Sequence, residues 1–134
     1  MIAVDWNGEG RFTGTTPDGA TLELNTNRGG APGPVQALII SLASCLAIDV
    51  VEILAKRRTP AASLRVEVEY DRAETAPRRL TAVDLRFIVE TASEAVHVER
   101  AVEMVLDRYC SVASSLDPAI PITTRVEVLP VGVA

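Results

Sequence analysis

From Val35 to about Arg57 the chain contains neither glycine nor proline and consists mostly of good helix formers, which dictates one long helix. Pro34 can take the first helical position, and Lys56, Arg57 and Arg58 place positive charge at the carboxyl end ahead of Pro60. Apolar residues cover nearly the whole circumference from Leu38 to Val51, so a helix of about 34 Å, at 1.5 Å per residue, asks to be covered on all sides. A membrane would serve by length alone, but Asp49 and Glu52 would then sit in hydrocarbon at a cost of about 2.5 to 3.5 kcal/mol for an acid near the centre. Cover by protein is the expectation. A chain of 134 residues is short to surround such a helix by itself, which predicts a partner chain and hence a homodimer.

The flanking segments read as strands. Ala3 to Trp6, Arg11 to Thr16 and Ala20 to Asn25 are β-prone and are separated by Asn7-Gly8 and Pro17-Asp18-Gly19, both hairpin signals, giving a meander over about 1–27. Arg28 to Pro34 is a Gly- and Pro-rich loop into the helix of about 35–57. After Pro60, Leu64, Val66, Val68 and Tyr70 alternate with Arg65, Glu67, Glu69 and Asp71, and Val83, Leu85, Phe87 and Val89 do the same, so a hairpin spans about 62–90. A second helix from about Ser93 to Tyr109 has Val98, Val102, Val105, Leu106 and Tyr109 on one face, with Thr91 and Glu94 spaced as a capping box. Ser111 to Leu116 reads as a short helical turn and Ile122 to Leu129 as a closing strand, so this last segment covers about 93–130. The order βββ-α-ββ-α-β makes one α+β domain over residues 1–134.

Composition narrows the function. A net charge of −5 repels phosphate backbones and 4% aromatic residues leave few stacking platforms, so nucleic acid is not an expected partner. The start MIAVDWNGEG lacks the basic and apolar regions of a signal peptide, which points to the cytoplasm, where two cysteines stay reduced or cycle as a transient redox pair. His97, Asp49, Cys45 and Cys110 lack metal-ligand spacing, and Gly29-Gly30-Ala31-Pro32-Gly33 carries prolines where a phosphate cradle needs N–H donors. Neither a metal nor a nucleotide cofactor is expected. Inert, buried thiols are the plain alternative reading of the cysteines.

Gly33-Pro34-Val35-Gln36-Ala37-Leu38, running on to Ser44-Cys45-Leu46-Ala47-Ile48-Asp49-Val50-Val51, resembles the first cysteine helix of the OsmC/Ohr superfamily. Arg108-Tyr109-Cys110-Ser111-Val112 resembles the second cysteine segment, and Ala76-Pro77-Arg78-Arg79-Leu80 with Leu85-Arg86-Phe87-Ile88-Val89 is similar to the YhfA-like branch. This resemblance covers essentially the whole chain. It implies an OsmC-like fold with a long buried central helix in an intertwined homodimer, and a site built on Cys45 and Cys110.

The resemblance further implies reduction of organic hydroperoxides, with Cys45 as the attacking thiol, Cys110 as the resolving one, a dithiol as reductant, and a role in oxidative stress defence. Such chemistry needs a thiolate. In peroxidase members an arginine held by a glutamate supplies the charge; here Gln36 stands at the glutamate position, and Arg11 and Arg28 are the candidate arginines. Asp49, one turn after Cys45, would raise the thiol pKa and oppose activity. The alternative is a weakly active or non-catalytic redox sensor or small-molecule binding protein on the same fold.

Overall fold

The structure, a computed structural model, describes residues 1–27 and 29–132. The chain divides into two compact units, Met1–Ser41 and Leu42–Ala134, with the division inside the long helix.

In the first unit β1 (Ala3–Trp6), β2 (Arg11–Thr15) and β3 (Thr21–Asn25) form an antiparallel meander. Both turns fall where the sequence places them: Gly8 (φ 102°) and Gly19 (φ 91°) take left-handed backbone that a side chain would resist. The register pairs Val4 with Gly14 and Gly14 with Leu22, and Trp6 with Phe12 and Phe12 with Leu24, so these six residues share one face. Val4, Leu22 and Trp6 on that face are exposed.

The helix α1 runs Pro34–Lys56, within a residue of expectation at each end. At its start the backbone N–H of Ala37 donates to the carbonyl of Gly33, and the N–H of Gly33 donates to Oε1 of Gln36 at 2.9 Å. Gln36 is thereby the returning half of a capping box, with Pro34 ahead of it in the first turn. At the other end Arg58 adopts φ 64°, its N–H donates to Ala55 and the N–H of Thr59 donates to Leu54, a pair of bonds that closes the last carbonyls. Within this single chain the helix is covered along one stripe only: Ile39, Leu42, Leu46, Val50 and Leu54 are buried, while Leu38, Ile48 and Val51 are exposed. The expectation of cover on all sides is thus met on one face, because one chain of this length supplies one packing layer. By length and composition α1 could cross a membrane, and 28% of its apolar window is buried within this chain.

The second unit has β4 (Ala61–Arg72), β5 (Leu80–Thr91) and β6 (Ile122–Leu129) in the order β4-β5-β6. β4 and β5 form the expected antiparallel hairpin, while β6 joins the far side of β5 in parallel. A parallel neighbour needs a crossover, and α2 (Ala95–Met104), which lies against β6, provides it. Val83, Leu85, Phe87 and Val89 of the central strand are buried and, with Leu42, Leu46, Val50 and Leu54 of α1 and with Val98, Val102 and Val105, make the core of this unit. The opposite face carries a charged ladder in which Arg86 meets Glu67 and Glu127, and Arg125 meets Asp84. These pairs are half-exposed, so each contributes about 0–1 kcal/mol and they act chiefly to keep that face in water.

Two expectations for the second helix are corrected. Thr91 does not cap it: its Oγ1 donates to the carbonyl of Thr59 at 2.9 Å and accepts from the N–H of Ser93, and Glu94 occupies the N-cap position with no side-chain cap. Thr91 is the last residue of β5, and its hydroxyl closes the strand end instead. The α-helical part also stops at Met104. Val105–Tyr109 is a wide π-helical turn closed by the N–H of Cys110 donating to the carbonyl of Val105 at 2.9 Å. Tyr109, expected on the buried face, is consequently 58% exposed, and Cys110 is fully buried.

Candidate functional site

Both cysteines lie in the second unit and carry free thiols. Cys45 is half-buried on α1, one turn before Asp49. Cys110 sits between the wide turn and α3 (Ser111–Ser114), in extended conformation with φ −77° and ψ 107°. Its polar atoms are all engaged: Sγ accepts from the N–H of Ala113 at 3.3 Å, and its carbonyl accepts from the N–H of Ser114 at 3.0 Å and from Oγ of Ser114 at 2.9 Å. Cys110 thus caps the short helix that comes after it, the role Ser or Asp more often takes.

The two thiols influence each other electrostatically, and their surroundings drive them apart in acidity. The backbone N–H of Val112, first, and the Cys110 thiol, second, hold the Cys45 thiol below the ordinary cysteine range; the N–H of Ser111 adds to this. Partial burial and the Asp49 carboxylate push the other way and are outweighed. Burial pushes the Cys110 thiol up, and the neighbouring Cys45 sulfur adds to that rise, while the N–H of Ala113 only partly offsets it. The result is a thiolate-prone sulfur that is reachable beside a protonated one that is not.

The expected effect of Asp49 therefore has the right sign and too much weight. Aligned amides at the head of α3 supply the opposing charge stabilisation, and no side-chain letter announces them. Replacing Asp49 with asparagine is expected to lower the Cys45 pKa further, read as a shift of the alkylation-rate profile to lower pH; a shift to higher pH would contradict this assignment.

Of the other candidates, Gln36 and Arg11 belong to the first unit. Gln36 is exposed at the start of α1 with its amide oxygen engaged by Gly33. Arg11 is exposed on β2 beside a shallow depression shared with Asn7, Glu23, Leu24, Asn25, Gly30 and Ala31. Arg28 lies outside the described residues. Near the cysteines, Asp49, Glu52, Ile53, Lys56, Met104 and Tyr109 line an open depression of about 500 Å³. Among the described residues no group of three or more His, Cys, Asp or Glu is placed to hold a metal ion.

Comparison with known proteins agrees with this architecture. The profile of the OsmC-like protein family matches residues 27–125. Protein YhfA of Escherichia coli strain K12 is 37% identical over 120 residues, which is 88% of this chain and 90% of the relative. An OsmC-like protein from Mycoplasma pneumoniae superposes with a TM-score of 0.84 at 16% identity, covering 96% of each chain. The organic hydroperoxide resistance protein OhrB of Bacillus subtilis superposes with a TM-score of 0.62 at 12% identity, covering 95% of this chain and 98% of its own, a likeness of fold alone. With a matching profile over most of its length, a relative above one-third identity and the two-sheet, long-helix fold in common, the chain belongs to the OsmC-like protein family.

Proposed function

We propose that the protein is a cytoplasmic thiol-dependent reductase of organic hydroperoxides that serves in oxidative stress defence, with Cys45 as the attacking thiol and Cys110 as the resolving one. The observation that carries the reading is a half-buried Cys45, whose thiol is held below the ordinary cysteine range, paired with a fully buried Cys110, whose thiol burial pushes up. In the first step the Cys45 thiolate attacks the terminal oxygen of ROOH. The O–O bond breaks, Cys45 becomes a sulfenic acid, and the departing alkoxide takes up a proton to leave as ROH. In the second step the Cys110 sulfur attacks the sulfenic sulfur, water leaves, and a 45–110 disulfide forms. A dithiol then attacks Cys45, because Cys110 is fully buried, and is itself oxidised to a disulfide as both cysteines return to thiols. The test is consumption of an organic hydroperoxide in excess dithiol; consumption by the Cys45→Ser protein at the unaltered rate would sink the reading.

A second reading, a weakly active sensor or small-molecule binding protein, draws on one observation. Gln36 is uncharged and its oxygen is engaged in capping α1, so it offers an arginine no ion pair. That reading predicts ligand-dependent stabilisation without turnover.

The working form is a homodimer. Leu38, Ile48 and Val51 expose apolar surface along a helix whose composition asks for burial, and Val4, Trp6 and Leu22 do so on the meander. Ile48→Glu is expected to convert the dimer to monomer in sedimentation analysis at micromolar concentration; an unaltered sedimentation coefficient would contradict the use of this face.

A further inference from the structure

We propose that the wide turn Val105–Tyr109 is a positioning element for the redox pair: by carrying one residue more than an α-turn, it gives the inward place to Cys110 rather than Tyr109, and so aims the Cys110 thiol and the amides behind it at Cys45. Along α2 the buried residues are Val98, Ala101 and Val102, and Val105 continues the series at the same spacing. An α-helix prolonged by one more turn would place Tyr109, four residues after Val105, on that buried face. The chain does otherwise. The N–H of Cys110 donates to the carbonyl of Val105, a bond five residues long, with Tyr109 turned outward and Cys110 inward.

Such turns are rare and sit at a poorer backbone geometry than the α-helix, so the surrounding structure must favour the widened form here. The consequence lies in the segment just beyond the turn. Cys110 leaves it in extended conformation, its sulfur accepts from Ala113, and the amides of Ser111 and Val112 favour the Cys45 thiolate. With Tyr109 inward, the thiol and the head of α3 would both be rotated out of register with α1. In a chain with five residues between Met104 and Cys110, the wide turn in place of an α-turn is thus the structural difference between a paired and an unpaired cysteine.

This positioning role rests on Cys45 and Cys110 being the working pair, and its test avoids hydroperoxide so that the two can fail separately. Deleting Asp107, which is exposed, leaves four residues where there were five, and an ordinary α-turn then carries Cys110 to the same inward place. Inserting an alanine after Asp107 moves Cys110 one position beyond it. The read-outs are the pH profile of Cys45 alkylation by iodoacetamide, resolved by peptide mass spectrometry, and formation of the 45–110 bridge with diamide, whose azo bond takes up the two thiol hydrogens.

The deletion is expected to keep the profile at the lowered pH and to keep the bridge. The insertion is expected to return the profile to that of an ordinary cysteine and to lose the bridge. A deletion that shifts the profile upward, loses the bridge or unfolds the chain would overturn the proposal, as would an insertion that keeps both properties. Should the insertion fail to fold, the deletion alone decides, together with the through-hydrogen-bond coupling of the Cys110 N–H in the unaltered protein. Coupling to the Val105 carbonyl supports the wide turn, and coupling to that of Leu106 refutes it.

Discussion

Replacing Cys45 with serine is expected to lower hydroperoxide consumption by about 10³-fold or more, with a melting temperature close to that of the unaltered protein. A serine hydroxyl is far too weakly acidic to be ionised by the Val112 and Ser111 amides, and its oxygen cannot be oxidised as sulfur is. The half-buried position and the single-atom change leave packing nearly untouched. Cys110→Ser differs in kind: the first oxidation of Cys45 proceeds, the sulfenic acid persists, and further peroxide drives it up the oxidation ladder. The pH profile is set by the same contacts. Since amide donors hold the Cys45 thiol below its usual range, the unaltered protein keeps its rate as pH falls until it passes through that lowered value. An inflection at or above the ordinary cysteine range would contradict the geometry.

Replacing Phe87 with alanine is expected to destabilise the second unit by about 3–5 kcal/mol, read as a lower midpoint of urea unfolding with a similar slope. Phe87 is fully buried at the middle of the central strand, paired with Val66 on one side and Val126 on the other. Strands held on both edges have little freedom to close the space that a lost ring leaves, so the cost includes a cavity as well as lost transfer energy. A loss below about 1 kcal/mol would show that the core is not centred there.

Much of this fold is legible in the sequence, because α1 is bounded by Pro34 and Pro60 and the strands alternate with period two. The parallel pairing of β6 with β5 is not, since alternation names the buried face of a strand and says nothing of its neighbour. The exchange of Tyr109 for Cys110 escapes for a related reason: counting by 3.6 assumes an α-turn, and a single extra residue shifts every later position. The false capping box at Thr91 and the real one at Gln36 show the limit of spacing rules. Thr91 fits the pattern but ends a strand, whereas Gln36 completes a box whose N-cap is Gly33 rather than Ser or Thr. At the candidate site, the pair Cys45 and Cys110 is readable from side chains, and what makes them unequal is the burial of Cys110 and the backbone amides at Cys45, which every residue type shares. Asp49 drew weight in the sequence because it has a charge, yet its effect on the Cys45 thiol is smaller than that of the Val112 amide or of the Ser111 amide taken singly.

Mass spectrometry of the unaltered protein after one equivalent of an organic hydroperoxide addresses the redox pair most directly. An intrachain bridge between residues 45 and 110, formed in high yield and reversed by dithiol, is the predicted result. Recovery of both thiols unchanged, or of Cys45 carried on to sulfinic acid with Cys110 still reduced, would contradict it.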